Sequence, residues 1–332
     1  MKRNGRHGGS TVRGVALAAV LGLCLASPGA ANQGEGEARP VITASYLYSL
    51  SDFTGTLPFT WVRVSVDDLR NEVYVAESGS VSIFNEAGME IYRFGEDERL
   101  GQVLDVAALA SGDLLLLTHQ GHDSTPSLVR CDYRGGFLER RPLAGLPSEW
   151  EGSRGFRPTR MVLRGETLYL ADLSGMRVAV ADAAGAVRET VSLGPKLQMT
   201  GQQVGDSGLG GFDAGHDGTL YFTVPTQFRA FRMAPGREPE GFGQAGSSPG
   251  RFGVIAGIAA DRNGTLYVVD TLKCAVMAFG ADLEFATEFG YRSFRRPEGL
   301  IAPKEATVAD NGRLYVTQQA RKGVSVFRVG VN

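Results

Sequence analysis

His119 and His122 stand three residues apart and Asp123 follows at once, residue types and a spacing that could hold a zinc ion. A catalytic zinc keeps three protein ligands and one open position, where it turns bound water into a nucleophile at neutral pH. The other histidines, His7 and His216, are far away in sequence. Carboxylates offer a second chemistry. Asp105 and Glu305 could lend oxygens to calcium, which takes about six to eight of them, if more converged on the same place. Glu77, Asp172 and Asp270 each end an apolar segment, but aspartate in that position commonly accepts hydrogen bonds from its own turn. Arginine offers a third. Arg154, Arg157, Arg160 and Arg164 form one cluster and Arg292, Arg295 and Arg296 another, with Phe156, Tyr291 and Phe294 interleaved. Arginines among aromatics are the side chains that anchor protein interfaces. Which of these sets can converge depends on the elements that carry them.

Those elements repeat. The clearest copy is Gly257-Ile-Ala-Ala-Asp-Arg-Asn-Gly-Thr-Leu-Tyr-Val-Val-Asp270, followed by Ala275-Val-Met-Ala-Phe279 and Glu284-Phe-Ala-Thr-Glu-Phe-Gly290. It reads as strand, Asn-Gly turn, strand, and two further strands, an antiparallel meander. Anchored on the second-strand aromatic, the unit recurs at Tyr74, Leu115, Tyr169, Tyr221, Tyr267 and Tyr315, with spacings of 41, 54, 52, 46 and 48 residues. Third strands end at Phe84, Cys131, Ala181, Phe231, Phe279 and Phe327. Four short strands every 40–50 residues are the signature of a β-propeller blade. The 45 glycines, nearly double the usual share of about 7%, fit so many tight turns.

The sixth unit supplies only three strands before the chain stops, and residues 45–50, Ser-Tyr-Leu-Tyr-Ser-Leu, precede the first unit without one of their own. They are expected to complete the last blade, which leaves no open inner edge. The fold class is therefore all-β: a six-bladed propeller of four-stranded antiparallel blades, residues 41–330, closed by its N-terminal strand. In that register Arg63, Asp105, Arg160, Gly211, Gly257 and Glu305 enter the innermost strands and should line the central funnel. Two arginines among two carboxylates oppose a calcium site there and favour an ion-paired, water-filled channel. His216 falls in a turn on the face opposite His119, so the histidines should not meet. The arginine clusters precede first strands and should share one rim, making Arg157, Arg160, Tyr291, Arg295 and Arg296 the expected partner surface. Two longer connections, 142–156 with Trp150 and the Gly- and Gln-rich 193–209, are the other expected recognition segments.

These units resemble the NHL-repeat family of six-bladed propellers. The likeness lies in the strand–turn–strand cores, the acidic ends at Glu77, Asp172 and Asp270, the Phe-Gly ends at Phe94-Gly95 and Phe289-Gly290, and the prolines Pro158 and Pro297 that lead into repeats. Blade two (Leu114-Leu-Leu-Leu-Thr-His119) and blade four depart from the pattern. The resemblance implies fold much more than function. Some such propellers are enzymes, namely secreted amidoglycolate lyases with histidine-bound zinc and lactonase-like proteins with calcium on funnel carboxylates. Secreted bacterial members often accompany multihaem cytochromes in respiratory systems.

Bulk properties narrow the choice. Residues 1–31 read as a secretory signal peptide: Lys2, Arg3, Arg6 and Arg13, then an apolar run over 14–26, then small residues up to Ala31. A lipobox at 21–24, with Cys24 acylated, is the alternative; Leu23 is bulky for that role. Residues 32–40 read as a disordered tether. No other apolar stretch reaches membrane-spanning length. Removing the leader's four basic residues from 34 leaves 30 against 36 acidic ones, a net charge of −6, which disfavours nucleic acid. No Cys-x-x-Cys-His motif is present to attach a haem. Cys131 and Cys274 fall in blades two and five, too far apart to bridge, and read as buried apolar side chains. The expectation is an exported, periplasmic or extracellular, non-catalytic scaffold. It would bind a protein partner in the cell envelope, as an accessory of a multihaem cytochrome or respiratory complex, and carry no cofactor. The alternative is a metal-dependent hydrolase or lyase that uses calcium or zinc in the funnel.

Overall fold

A computed structural model of the chain describes residues 41–56, 62–77, 79–121, 126–151, 155–319 and 322–331. The leader with Cys24, the tether 32–40, His122, Asp123 and Arg154 lie outside the described residues.

The chain forms six four-stranded antiparallel sheets in sequence order. Blade one is Val62–Asp67, Glu72–Glu77, Ser80–Phe84 and Glu90–Phe94, and blade two is Gln102–Ala108, Leu114–His119, Ser127–Cys131 and Phe137–Pro142. Blade three begins with Arg160–Arg164, blade four with Gly211–Ala214 and blade five with Ile255–Ala260. Blade six takes Ala306–Val308, Arg313–Thr317 and Val324–Val331 from the C-terminal end and Ile42–Ser49 from the N-terminal end. Inner strands of successive blades touch all the way round, including the sixth and the first, so the ring is closed. Blades two and four form the same sheets as the others despite their divergent sequences.

The middle strands are unbroken apolar runs because a blade's inner half is covered on both faces by its neighbours. Leu114–Leu117 and Leu266–Val269 are all buried, whereas the outer strand Phe137–Pro142 is not. Each interface between blades is its own small core. Between blades three and four, Phe222 stacks on Phe231 at 5.3 Å between ring centres, against Val178 and Phe212. The second-strand tyrosines are ring-buried, and Tyr74 keeps its hydroxyl satisfied by donating to Glu72 at 2.6 Å.

Closure by the N-terminal strand follows the expected pairing, Tyr46 opposite Phe327 and Ser49 opposite Ser325. Tyr46 meets Phe327 edge-on at 5.8 Å, and the Leu50 amide donates to the Val324 carbonyl at 3.0 Å. Turns between first and second strands put one residue in the left-handed region. At Gly264 (φ +81°) and Gly312 (φ +75°) glycine removes the steric cost, which accounts for part of the glycine excess.

Cys131 and Cys274 are free and buried in separate cores. Burial pushes the Cys131 thiol up to about 12. Both thiols are buried and the Cys131 thiol is also kept from its reactive thiolate form, so both should resist an aromatic disulfide reagent at pH 8 and react fully only in denaturant. Rapid native-state labelling would show that these interfaces open.

Candidate functional site

The six first-strand residues expected at the funnel lie in one axial layer. Each sits two positions ahead of the pairing partner of its blade's anchor: Arg63 faces Ala76, Arg160 faces Ala171 and Gly211 faces Thr223. The layer is not an open channel. On one side it is backbone against backbone: a Cβ on Gly211 would lie 2.6 Å from the Gly257 Cα, and one on Gly257 would lie 2.7 Å from the Glu305 Cα. These glycines are required by close approach.

The other side is filled by charge. The Arg63 guanidinium pairs with Glu305, and Arg160 Nη1 donates to Asp105 Oδ2 at 3.2 Å. All four are buried. Asp105 is also a strap between blades: Oδ2 accepts the Met161 amide of blade three at 2.8 Å, and Oδ1 accepts its neighbour Val106 at 2.9 Å. Burial pushes the Asp105 carboxyl above its ordinary value, opposed by Arg160 and Arg63. Burial alone would lower Arg160, but Asp105, Glu305 and Asp213 more than offset it and hold it raised.

Asp213, which sequence reasoning missed, repeats the strap one layer deeper. Its Oδ1 accepts Ala214 at 2.8 Å and Arg164 Nη2 at 2.9 Å, and its Oδ2 accepts the Ala260 amide of blade five at 2.9 Å. A lone acidic residue in the apolar first strand Gly211–Ala214 was the available signal. Calcium does not fit this donor set, because each carboxylate in it already holds an arginine and backbone amides supply donors where a cation needs acceptors. Among the described residues no group of three or more His, Cys, Asp and Glu is placed to hold a metal.

Elsewhere the histidines stay apart. His119 ends the second strand of blade two, with Nδ1 3.0 Å from the Gly121 carbonyl, to which the protonated nitrogen donates. His216 lies in the turn between Ala214 and Leu220, at the opposite end of its blade. The Gly-x-Ser-x-Gly spacing at Gly246-Ser-Ser-Pro-Gly250 lies in bends between blades four and five, without the strand-to-helix turn of a nucleophile elbow. Asp172 and Asp270 serve their turns. Asp172 Oδ1 accepts Gly175 at 2.8 Å, and Asp270 accepts Lys273 at 2.9 Å and, from the incoming connection, Val254 at 3.1 Å.

The connections between blades and the turns after second strands share one face, here the upper face. The Arg157 amide reaches Asp172, Leu209 bonds to Leu173, and Thr271 bonds to Val254. At its centre a hollow of about 360 Å³ opens above the charged layer, with Leu173, Leu209, Pro225 and Ile255 as apolar wall and Arg63, Lys304 and Gln318 as polar wall.

The expected rim residues do not form one surface. Arg160 is only 5% exposed and belongs to the axial layer, because it lies inside a first strand and not in the connection before it. Arg164 ends that strand and turns to Asp213 at the lower face. Arg157 is half-buried, three blades away from the second cluster. Phe156 and Trp150, both buried, stack on each other at 5.1 Å between blades two and three, with Arg177 over the Trp150 ring. The connection 193–209 holds two short helices, Leu193–Lys196 and Gly201–Ser207, the second capped by a Thr200/Gln203 box.

The second cluster is a surface. Phe294 is 68% exposed, Leu272 59%, Tyr291 46% and Val254 43%. Arg292, Arg295 and Arg296 stand exposed among them. Continuity is given by hydrogen bonds: Arg292 Nη2 donates to the Leu272 carbonyl at 3.4 Å, and Lys322 Nζ to the Arg296 carbonyl at 2.7 Å. Tyr291 donates to Glu298 at 2.8 Å, which fixes the ring at the edge of the patch.

No family model matches the sequence, and no curated protein matches it. Solved structures do resemble it. A streptogramin B lyase is 14% identical over 88% of this chain and 98% of its own, with a TM-score of 0.51. A luciferin-regenerating enzyme is 12% identical over 88% and 97%, with a TM-score of 0.57. Hydrazine synthase of Kuenenia stuttgartiensis is 13% identical over 81% and 83%, with a TM-score of 0.53. What they share with this chain is the fold. At such identities the likeness shows the fold alone and says nothing about which residues act here. No helix among the described residues is long and apolar enough to cross a membrane.

Proposed function

We propose that this protein is an exported, non-catalytic NHL-type propeller that binds a protein partner of the cell envelope through the upper face at blades five and six. The observation that carries the reading is the patch of Val254, Leu272, Tyr291 and Phe294 interleaved with Arg292, Arg295 and Arg296. Contiguous exposed apolar side chains on a rigid disc mark interaction sites, and aromatics with arginine are the residues that dominate binding energy. Its cationic edge on an otherwise acidic chain fits a partner with an acidic surface. The leader-like N-terminal sequence supports export, and a multihaem cytochrome or respiratory complex is the family-level expectation for the partner. The filled axial layer supports a structural rather than catalytic centre.

Phe294→Asp combined with Arg295→Glu and Arg296→Glu should weaken partner capture from the native envelope fraction by ~30-fold or more, the worth of losing about 2 kcal/mol at a hot spot. Unchanged capture would remove this surface from consideration. The alternative is a metal-dependent hydrolase or lyase in the funnel, against which the arginine-paired carboxylates of the axial layer count. Elemental analysis of protein purified without chelators separates the two: stoichiometric metal, lost on His119→Ala, favours the alternative.

A further inference from the structure

Blades one and two do not meet flush at the outer wall of the disc. Two hollows of about 620 and 650 Å³ lie along their seam, and Tyr92 and Arg134 line both, so they form one divided groove. One side is the outer strand of blade one, Glu90–Phe94, and the other is the turn of blade two that carries Tyr133 and Arg134. The Tyr92 hydroxyl donates to the Arg134 carbonyl at 3.3 Å, which lays the ring across the seam. Gly135 seats that turn: its φ is +79°, and a Cβ there would lie 2.1 Å from the Phe94 ring.

The groove presents rings with little net charge. Tyr133 is 61% exposed, Ile91 51% and Tyr92 44%. Most of the charged groups around them are engaged within the chain, and the two without an ion-pair partner among the described residues, Glu96 and Arg134, are opposite in sign. Arg70 pairs with Asp67 at 2.6 Å, Glu72 accepts Tyr74 at 2.6 Å, and Asp113 is held by Arg130. Arg93 pairs with Glu90 at 2.8 Å and Asp97 with Arg99 at 2.6 Å, while the Arg134 guanidinium stacks on Tyr133. A polyanion finds one cation that is not ion-paired, Arg134, with the exposed carboxylate of Glu96 on the same groove, and a lipid finds charged side chains along both walls. A chain of uncharged, hydroxyl-rich rings finds what it needs. Its C–H faces stack on tyrosine, and its hydroxyls bond to oxygens and nitrogens that retain spare hydrogen-bonding capacity after their ion pairs are made. A five-residue strand rises ~17 Å, long enough for several sugar rings in a row.

We infer that the seam between blades one and two is a binding groove for a neutral oligosaccharide. It shares no residue with the upper-face surface, so either can fail alone. The test is isothermal titration of the mature protein with cello-, chito-, malto- and xylohexaose, beside an alginate oligomer and a decaproline peptide. At least one neutral hexasaccharide should bind. Tyr133→Ala and Tyr92→Ala should each weaken it by about tenfold or more, with Tyr133→Phe close to wild type. Melting temperature should be unchanged in Tyr133→Ala, whose ring is exposed. The inference is overturned if no neutral hexasaccharide binds, if alginate or decaproline binds more tightly, or if Tyr133→Ala binds as the wild type does.

Discussion

Asp105→Ala should lower the unfolding free energy by about 3–5 kcal/mol, the cost of removing one partner from a buried charge pair. Asp105 is fully buried, faces Arg160 and Arg63, and ties the inner strands of blades two and three through the Met161 amide. Its loss leaves Arg160 charged at 5% exposure without its hydrogen-bonded carboxylate, and leaves a buried amide without an acceptor. The same reasoning gives a control with the opposite sign. Asp105→Leu together with Arg160→Met removes both charges, and an apolar pair of similar volume is often neutral or better. Urea unfolding followed by tryptophan fluorescence should show the double variant recovering most of what Asp105→Ala loses. An Asp105→Ala protein as stable as wild type would mean that the axial layer is hydrated and open, and would restore the funnel as a site for chemistry.

The second large effect concerns closure. A chain begun at Ser51 lacks Ile42–Ser49 and Leu50. It should not yield a monomer with a native near-ultraviolet spectrum. Ile42 and Leu50 are buried, and burial of such side chains contributes about 1.5–3 kcal/mol each. The paired ladder from Ile42–Val331 to Ser49–Ser325 goes with them. Together these approach the whole margin of a domain, about 5–15 kcal/mol. The truncation also exposes the edge of Val324–Val331, a template for association with other chains. A synthetic peptide of residues 41–50 added in trans should restore the monomer. A truncated chain that melts within a few degrees of the full protein would contradict velcro closure as a source of stability.

The architecture was readable in the sequence because a propeller repeats its burial pattern. Tyr74, Tyr169, Tyr221, Tyr267 and Tyr315 occupy the same pocket in five blades, and the sixth anchor, Leu115, is buried in the same way. Periodicity therefore reports packing. The three-stranded last unit and the spare segment near Tyr46 likewise announced their pairing. The axial layer was readable for the same reason, register being fixed by strand pairing.

Connections carry no such period, and there the reading thinned. Phe156 and Phe294 look equivalent in sequence, each beside arginines ahead of a first strand. Phe156 nonetheless has Trp150 to stack on inside the disc, and Phe294 has no such partner among the described residues. Arg160 was placed on the rim and in the funnel at once, since strand onset cannot be read to the residue. The helix at Gly201–Ser207 was signalled only by Thr200 and Gln203, against the scattered glycines Gly201, Gly205 and Gly208 that argue for loop. Asp213 needed the neighbouring blade, whose Ala260 amide gives it a purpose.

A photo-activatable benzophenone side chain at position 294, in cells making the full chain, tests the functional reading most directly. Position 138, also outward on the outer strand of blade two, is the comparison, since Leu138 is 50% exposed. The account gives one discrete protein adduct from position 294, absent from position 138 and abolished by Arg295→Glu with Arg296→Glu. No adduct from position 294, or the same adduct from both positions, would contradict a partner held on the upper face.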